Sequence, residues 1–161
     1  ESDTTKISFY EDTYSLYNLY RFAHYYEEAY GKYIWLKSGA SLVIEHTEAM
    51  TVIDVNTGSV LKKKIQEDTL FYQINREAAK EIARQLRLRN ISGIIMIDFI
   101  NMKDTAQKEK LLSLLDSECK KDRVHCNVID MTALNLVEMT RSKVRKPLHE
   151  QIRSCMKNNR S

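Results

Sequence analysis

The feature that most constrains this chain is a change of hydrophobic period after residue 50. Met50–Val55 is short and rich in β-branched residues, as a strand requires. Leu70, Ile74, Ala78, Ile82 and Leu86 then recur every four residues, the stripe of a long amphipathic helix over roughly Glu67–Arg89. Gly93–Ile97 is continuously apolar and ends at Asp98, which predicts a strand buried on both faces. Asp104 is placed to cap a helix over Thr105–Cys119, with Leu111, Leu112 and Leu115 facing inward. Val124–Ile129 and Leu134–Met139 supply two further strands. Strands alternating with helices predict a layered α/β domain with a mixed sheet.

Upstream the pattern is less regular. Leu19–Tyr30 reads as a helix, with Gly31 in the position usual for a left-handed C-terminal residue. Its tyrosines, Tyr20, Tyr25, Tyr26 and Tyr30, are of a type that stacks on bases, but packing on a neighbouring surface is the commoner use. Tyr33–Leu36 and Ser41–Glu45 flank Lys37-Ser38-Gly39-Ala40, a hairpin pattern. Ser38-Gly39-Ala40-Ser41 lacks the GK[ST] ending of a phosphate-cradling loop. On the long helix Arg76, Lys80, Arg84 and Arg87 form a separate basic row, which reads as a solvated face or as a phosphate contact.

A length of 161 residues suits one domain with a real core. The longest apolar run, Ile94–Ile97, is far too short to span a membrane, and Glu1–Lys6 lacks the apolar stretch of a secretory signal. Cys119, Cys126 and Cys155 are scattered and form no CxxC pair, so reduced thiols and a cytoplasmic location are expected. His46, His125 and His149 are dispersed without metal-ligand spacing, and His24 sits among tyrosines as a structural residue. The net charge of +3 is unevenly placed: Thr140–Ser161 carries +6 and the preceding residues −3. Such a basic tail suits a polyanionic partner, and equally a solvated, partly disordered end.

Two of the strands end in aspartate, at Asp54 and Asp98, where α/β sheets place their ligands. Two converging carboxylates repel, and a divalent cation relieves that repulsion. Oxygen ligands suit Mg²⁺ or Mn²⁺, which keep waters and accept phosphate oxygens. Asn56 falls on the same side of its strand as Asp54, placed to orient the carboxylate or to bind phosphate. The structural alternative is that Asp54 starts a turn while Asp98 caps a helix or forms an ion pair.

The stretches SGASLVIEHTEAMTVIDVNTGS (Ser38–Ser59), EAAKEIARQLRLRNISGIIMIDFINM (Glu77–Met102) and NLVEMTRSKVRK (Asn135–Lys146) resemble the catalytic region of the ribonuclease E/G family. The resemblance runs from about Ile34 to Gln151 and keeps the order of several motifs. It implies a Mg²⁺-dependent endoribonuclease acting on single-stranded RNA, with a deoxyribonuclease-I-like catalytic region. The family's two metal-binding aspartates fall on Asp54 and Asp98, and its supporting asparagine on Asn56. On this basis 1–37 corresponds to the end of a ribonuclease-H-like subdomain, 38–146 to the catalytic metal-binding core and 147–161 to a basic tail. Independently of the resemblance, charge alone makes Lys62, Lys63, Lys64, Arg123, Arg141 and Arg145 expected RNA contacts, with surface solubility an equal alternative for each arginine.

Several departures accompany the resemblance. The family's oligonucleotide-binding barrel and 5′-monophosphate sensor have no counterpart here, so a fragment of a longer protein or a reduced relative is expected. Asn101 stands where the family's DFID has its second acid, the loop after Asn56 lacks a glycine near Lys62, and Leu70–Ile74 is one residue longer. The zinc-linking CPxC is Cys155-Met156-Lys157-Asn158, without its second thiolate. Tetrahedral zinc needs four ligands, so no zinc is expected, and a homo-oligomer would not be zinc-linked. Two other functions fit the same residues: a non-catalytic RNA-binding or assembly module of this fold, and a metal-dependent phosphatase.

Overall fold

A computed structural model of the chain describes residues 9–58 and 67–158. In chain order the elements are α1 (Leu16–Leu19), α2 (Phe22–Tyr30), β1 (Tyr33–Trp35), β2 (Ser41–His46), β3 (Met50–Asn56), α3 (Glu67–Leu88), β4 (Gly93–Asp98), α4 (Thr105–Cys119), β5 (Cys126–Met131), β6 (Leu136–Arg141) and α5 (Leu148–Asn158). Six strands form one mixed sheet in the order β1-β2-β3-β4-β6-β5. The central β3–β4 pair is parallel and the other pairs are antiparallel. A parallel pair needs a long crossover, which the 22 residues of α3 supply.

The core lies between α3 and α4 and one face of the sheet. Leu70, Ile74, Ala78, Ile82 and Leu86 of α3, with Leu111 and Leu115 of α4, meet Ile53, Val55, Ile95, Ile97, Val137 and Met139. Leu112, expected inside with its neighbours, is only half-buried. Asp104 caps α4 as expected, accepting from the Ala106 amide at 2.8 Å. The strand expected to be buried on both faces is not. Ile95 and Ile97 are buried, whereas Ile94 is 50% exposed and Met96 half-buried. Side chains alternate across a strand, and among the described residues helices cover a single face of this sheet.

The predicted hairpin forms, with the Leu36 amide donating to the Ala40 carbonyl at 2.8 Å. Its turn is held to α3 by Glu77, whose carboxylate accepts from the amides of Lys37 at 2.8 Å and Ser38 at 3.3 Å. Gly58, just after β3, has φ +56°, and a Cβ there would lie 2.5 Å from the Gly39 carbonyl. The end of β3 therefore packs directly on the hairpin turn.

The N-terminal helix differs from expectation. Arg21, at φ 50°, divides it into α1 and α2. Gly31 is not left-handed, its φ being −58°. Glycine is favoured there by crowding, since a Cβ would sit 3.2 Å from the Glu27 carbonyl. The tyrosines Tyr20, Tyr25, Tyr26 and Tyr30 are exposed. Instead of apolar burial, polar bonds hold α2 to α3. Arg89 donates to the Glu28 carbonyl at 2.9 Å and to Gln85 Oε1 at 2.7 Å, and Arg84 pairs with Glu28 and Glu81. Arg84 is thus structural rather than part of a free basic row. Burial, with the charge of Arg84, lowers Arg89 to about 10, so it remains a cation at neutral pH.

Charge leaves the tail open between a partner-binding segment and a solvated end; in the structure α5 forms within it and its start is anchored. The Leu148 amide donates to the Arg89 carbonyl at 2.9 Å, and Asn90 donates to the carbonyls of Arg145 and Lys146 at 3.1 and 3.3 Å. His149 stacks on His46 with ring centroids 3.9 Å apart, uniting two histidines far apart in sequence. Among the described residues no helix is long and apolar enough to cross a membrane.

Candidate active site

Asp54 and Asp98 become neighbours through strand register. Ile53 pairs with Ile97 and Asp54 with Asp98 across the parallel β3–β4 ladder. Because Ile53 and Ile97 enter the core, the two aspartates project from the opposite face, which no helix covers among the described residues. Adjacent strands lie ~4.8 Å apart, which sets the spacing of the two backbones. Asn56, two residues on, donates from Nδ2 to Asp54 Oδ2 at 2.7 Å. This bond fixes the Asp54 carboxylate and leaves its second oxygen free of Asn56. Asp98 is exposed as a residue, yet partial desolvation of its carboxyl, and then the charge of Asp54, push its pKa up.

Among the described residues no cation pairs with either aspartate, so the structural ion-pair alternative for Asp98 finds no partner there. Neither does Asp98 cap α4, since Asp104 does. The donor set fits a hard divalent cation: two carboxylates on paired strand positions, that of Asp98 raised by desolvation and then by Asp54, with an amide orienting that of Asp54. Among the described residues no group of three or more His, Cys, Asp or Glu side chains converges. A two-carboxylate set matches Mg²⁺, which retains several waters, better than an ion needing a full protein cage.

Sequence patterning missed Asn75. It lies on α3 fully buried beside Ile74, where the stripe predicts apolar contact. Its side chain donates to the Ile100 carbonyl at 2.7 Å and accepts from the Ile100 amide at 3.0 Å. This two-way clamp fixes the chain two residues beyond Asp98. The available signal was an amide on the edge of an otherwise apolar helical face.

Of the residues expected to touch RNA, the described ones, Arg123, Arg141 and Arg145, do not converge on the aspartates. Lys62, Lys63 and Lys64 lie outside the described residues. Arg123 and Arg145 are exposed and, with Arg87 and Lys121, line an open groove of about 650 Å³. That groove sits at the far end of β4, because Arg141 pairs with Gly93 whereas Leu136 pairs with Asp98. Arg141 itself is 4% exposed and pairs with Asp122 at 2.9 Å, so it is a buried structural cation and not a surface contact for RNA. Cys119 and Cys126 are free thiols that adjoin each other. The hydrogen bond with Cys126, then burial, push Cys119 up, and the same bond and nearby Arg141 lower Cys126.

Fold and site together define an α/β domain with an acidic strand-end centre on a sheet face that no described helix covers. The chain matches the ribonuclease E/G family over residues 1–144 and belongs to it. It is 41% identical over 145 residues to ribonuclease G of Escherichia coli K12, an alignment covering 90% of this chain and 29% of that protein. Ribonuclease G of Haemophilus influenzae is 42% identical over 143 residues, 89% of this chain and 29% of its own length. Ribonuclease E of a Nostoc species is 42% identical over 115 residues, 71% of this chain and 17% of its own. The chain thus spans less than a third of the length of these relatives.

Proposed function

We propose that this domain carries the metal-dependent centre of a cytoplasmic endoribonuclease that cuts single-stranded RNA. One observation carries the proposal: Asp54 and Asp98 stand in register at the ends of adjacent parallel strands, on an open face, with no cationic partner among the described residues. Family membership supports it, as does the similarity to ribonucleases G and E. In this reading 38–146 is the deoxyribonuclease-I-like core, preceded by the end of a ribonuclease-H-like segment.

Asp54 and Asp98 would hold Mg²⁺ or Mn²⁺, with Asn56 fixing the Asp54 carboxylate. When bound, such an ion neutralises charge developing on the phosphate and activates the attacking water. The chain's own residues do the positioning. Ile53 and Ile97 lock both strand ends into the core, so the carboxylates are presented without rearrangement. Asn75 holds the backbone after Asp98, limiting its drift from Asp54. The uncovered face gives an extended RNA strand access to both acids. The competing module without catalysis offers no packing reason for two acids side by side with no cationic partner among the described residues.

A ligand that binds only the folded state raises stability by mass action. Mg²⁺ or Mn²⁺ should therefore raise the Tm of the parent, and Asp54→Asn or Asp98→Asn should each abolish that rise while leaving the metal-free fold intact. Single-turnover cleavage of a single-stranded oligoribonucleotide should be lost in the same two variants. If both variants respond to metal as the parent does, the proposal is wrong.

A further inference from the structure

The uncovered face holds a second feature beside the acids. Trp35, the single tryptophan of the chain, is 73% exposed on edge strand β1, and Tyr33 is 60% exposed. Ile34 between them is buried, so both rings project from the face that carries Asp54 and Asp98. Strand register links the two features. Tyr33 pairs with Val43, Val43 with Asp54 and Asp54 with Asp98, giving one continuous row across four strands. Trp35 pairs with Ser41, and Ser41 with Asn56. At ~4.8 Å per strand the rings stand ~10 Å from Asp54 and Asn56.

At three residues β1 is short enough to be a protected edge, so the notable feature is the two large rings it exposes on the sheet face. A flat aromatic beside a phosphate-directed centre has a clear use. Every base offers a π-face, and single-stranded nucleic acids are gripped by stacking bases on such rings. The Lys32 ammonium lies 5.7 Å from the Tyr33 ring centroid and is paired with Glu45, so the rim of the platform carries an ion pair rather than a free cation, and the grip expected there comes from the rings. The occupant is therefore a single strand with unpaired bases rather than a duplex, whose bases are turned inward.

We propose that Trp35 and Tyr33 form a base-stacking platform that holds a nucleotide flanking the phosphate positioned at Asp54 and Asp98. The proposal rests on the endoribonuclease function and adds how the substrate is set in register. Phosphate contacts attract RNA without fixing its position, whereas a stacked base a fixed distance from the acids does fix it. Trp35 is thus a positioning residue.

The lone tryptophan makes the test direct. With the 161-residue chain in a chelating buffer, a mixed-sequence single-stranded RNA decamer should quench Trp35 emission saturably, with binding followed independently by anisotropy of the labelled decamer. An abasic decamer of equal charge should bind without that quench. Trp35→Leu should weaken decamer binding about 5- to 150-fold, the loss expected for one stacked base, with the salt dependence unchanged, and Trp35→Phe should recover most of it. Binding with unaltered Trp35 emission, equal binding by Trp35→Leu, or no binding of the decamer overturns the platform. So does Trp35 emission already shielded from acrylamide before RNA is added, which would mean that a protein surface covers the ring. The two proposals fail separately: loss of the metal-induced Tm rise leaves the quench intact, and loss of the quench leaves the metal response intact.

Discussion

Arg141 and Asp122 show how position decides what a charge does. Arg141 donates from Nε to Asp122 at 2.9 Å and from Nη1 to Asn90 Oδ1 at 3.0 Å and the Ile91 carbonyl at 2.9 Å. Burial pushes Asp122 up, but the hydrogen bonds from Arg141 and the Val124 amide, with the charges of Arg141 and Arg87, outweigh it and hold Asp122 below its ordinary range. A carboxyl depressed in the folded state stabilises above its unfolded pKa, and that stability is lost as pH falls through the folded pKa. Urea midpoints measured from neutral to acid pH should therefore fall more steeply in the parent than in Asp122→Asn. Arg141→Leu should cost about 3–5 kcal/mol at neutral pH, because it strands a buried carboxylate. Asn75→Ala should cost about 1–3 kcal/mol by leaving both backbone groups of Ile100 unpaired. It should also shrink the metal-induced Tm rise, by loosening the chain beyond Asp98, and a rise of parental size would show that the clamp is purely structural.

Among the elements, α3 has the widest role. Its apolar stripe fills the core, Asn75 clamps the loop after Asp98, Glu77 holds the β1–β2 turn, and Gln85 braces Arg89, just past the helix end, which holds α2. Ile82, fully buried at its centre, should cost about 2–5 kcal/mol as Ile82→Ala, measured by urea unfolding. Strand β4 had the most misleading sequence. Four apolar residues in a row read as burial on both sides, yet the pleat divides them, and only the alternate pair Ile95 and Ile97 meets helices. The exposed half of that strand supports Asp98 on an accessible face.

Across the whole molecule, the acids and the aromatic edge occupy the open face near one end of the central strands, and the groove of Arg123 and Arg145 lies toward the other. If that groove follows an RNA backbone, Arg123→Gln and Arg145→Gln should each reduce the slope of log affinity against log salt by about 0.7, the value for one single-strand phosphate contact. An unchanged slope would make both arginines mere surface charge. Deleting residues 148–161 tests the tail separately, since a cut at Thr140 would remove part of β6 and the buried Arg141. The sequence by itself determined what depends on local period and local caps: the α3 stripe, the Asp104 cap, the hairpin and the aspartates at two strand ends. Family resemblance read from its motifs also held. Tertiary structure decided what depends on partners distant in the chain. Register set Asp54 against Asp98, the α3–β4 turn and Asp122 buried Arg141, and one-sided helix cover left Ile94 and Trp35 exposed. Hydrophobic period reports which residues leave water, but which face the helices cover, and which charge finds a buried partner, are fixed only when separate segments pack together.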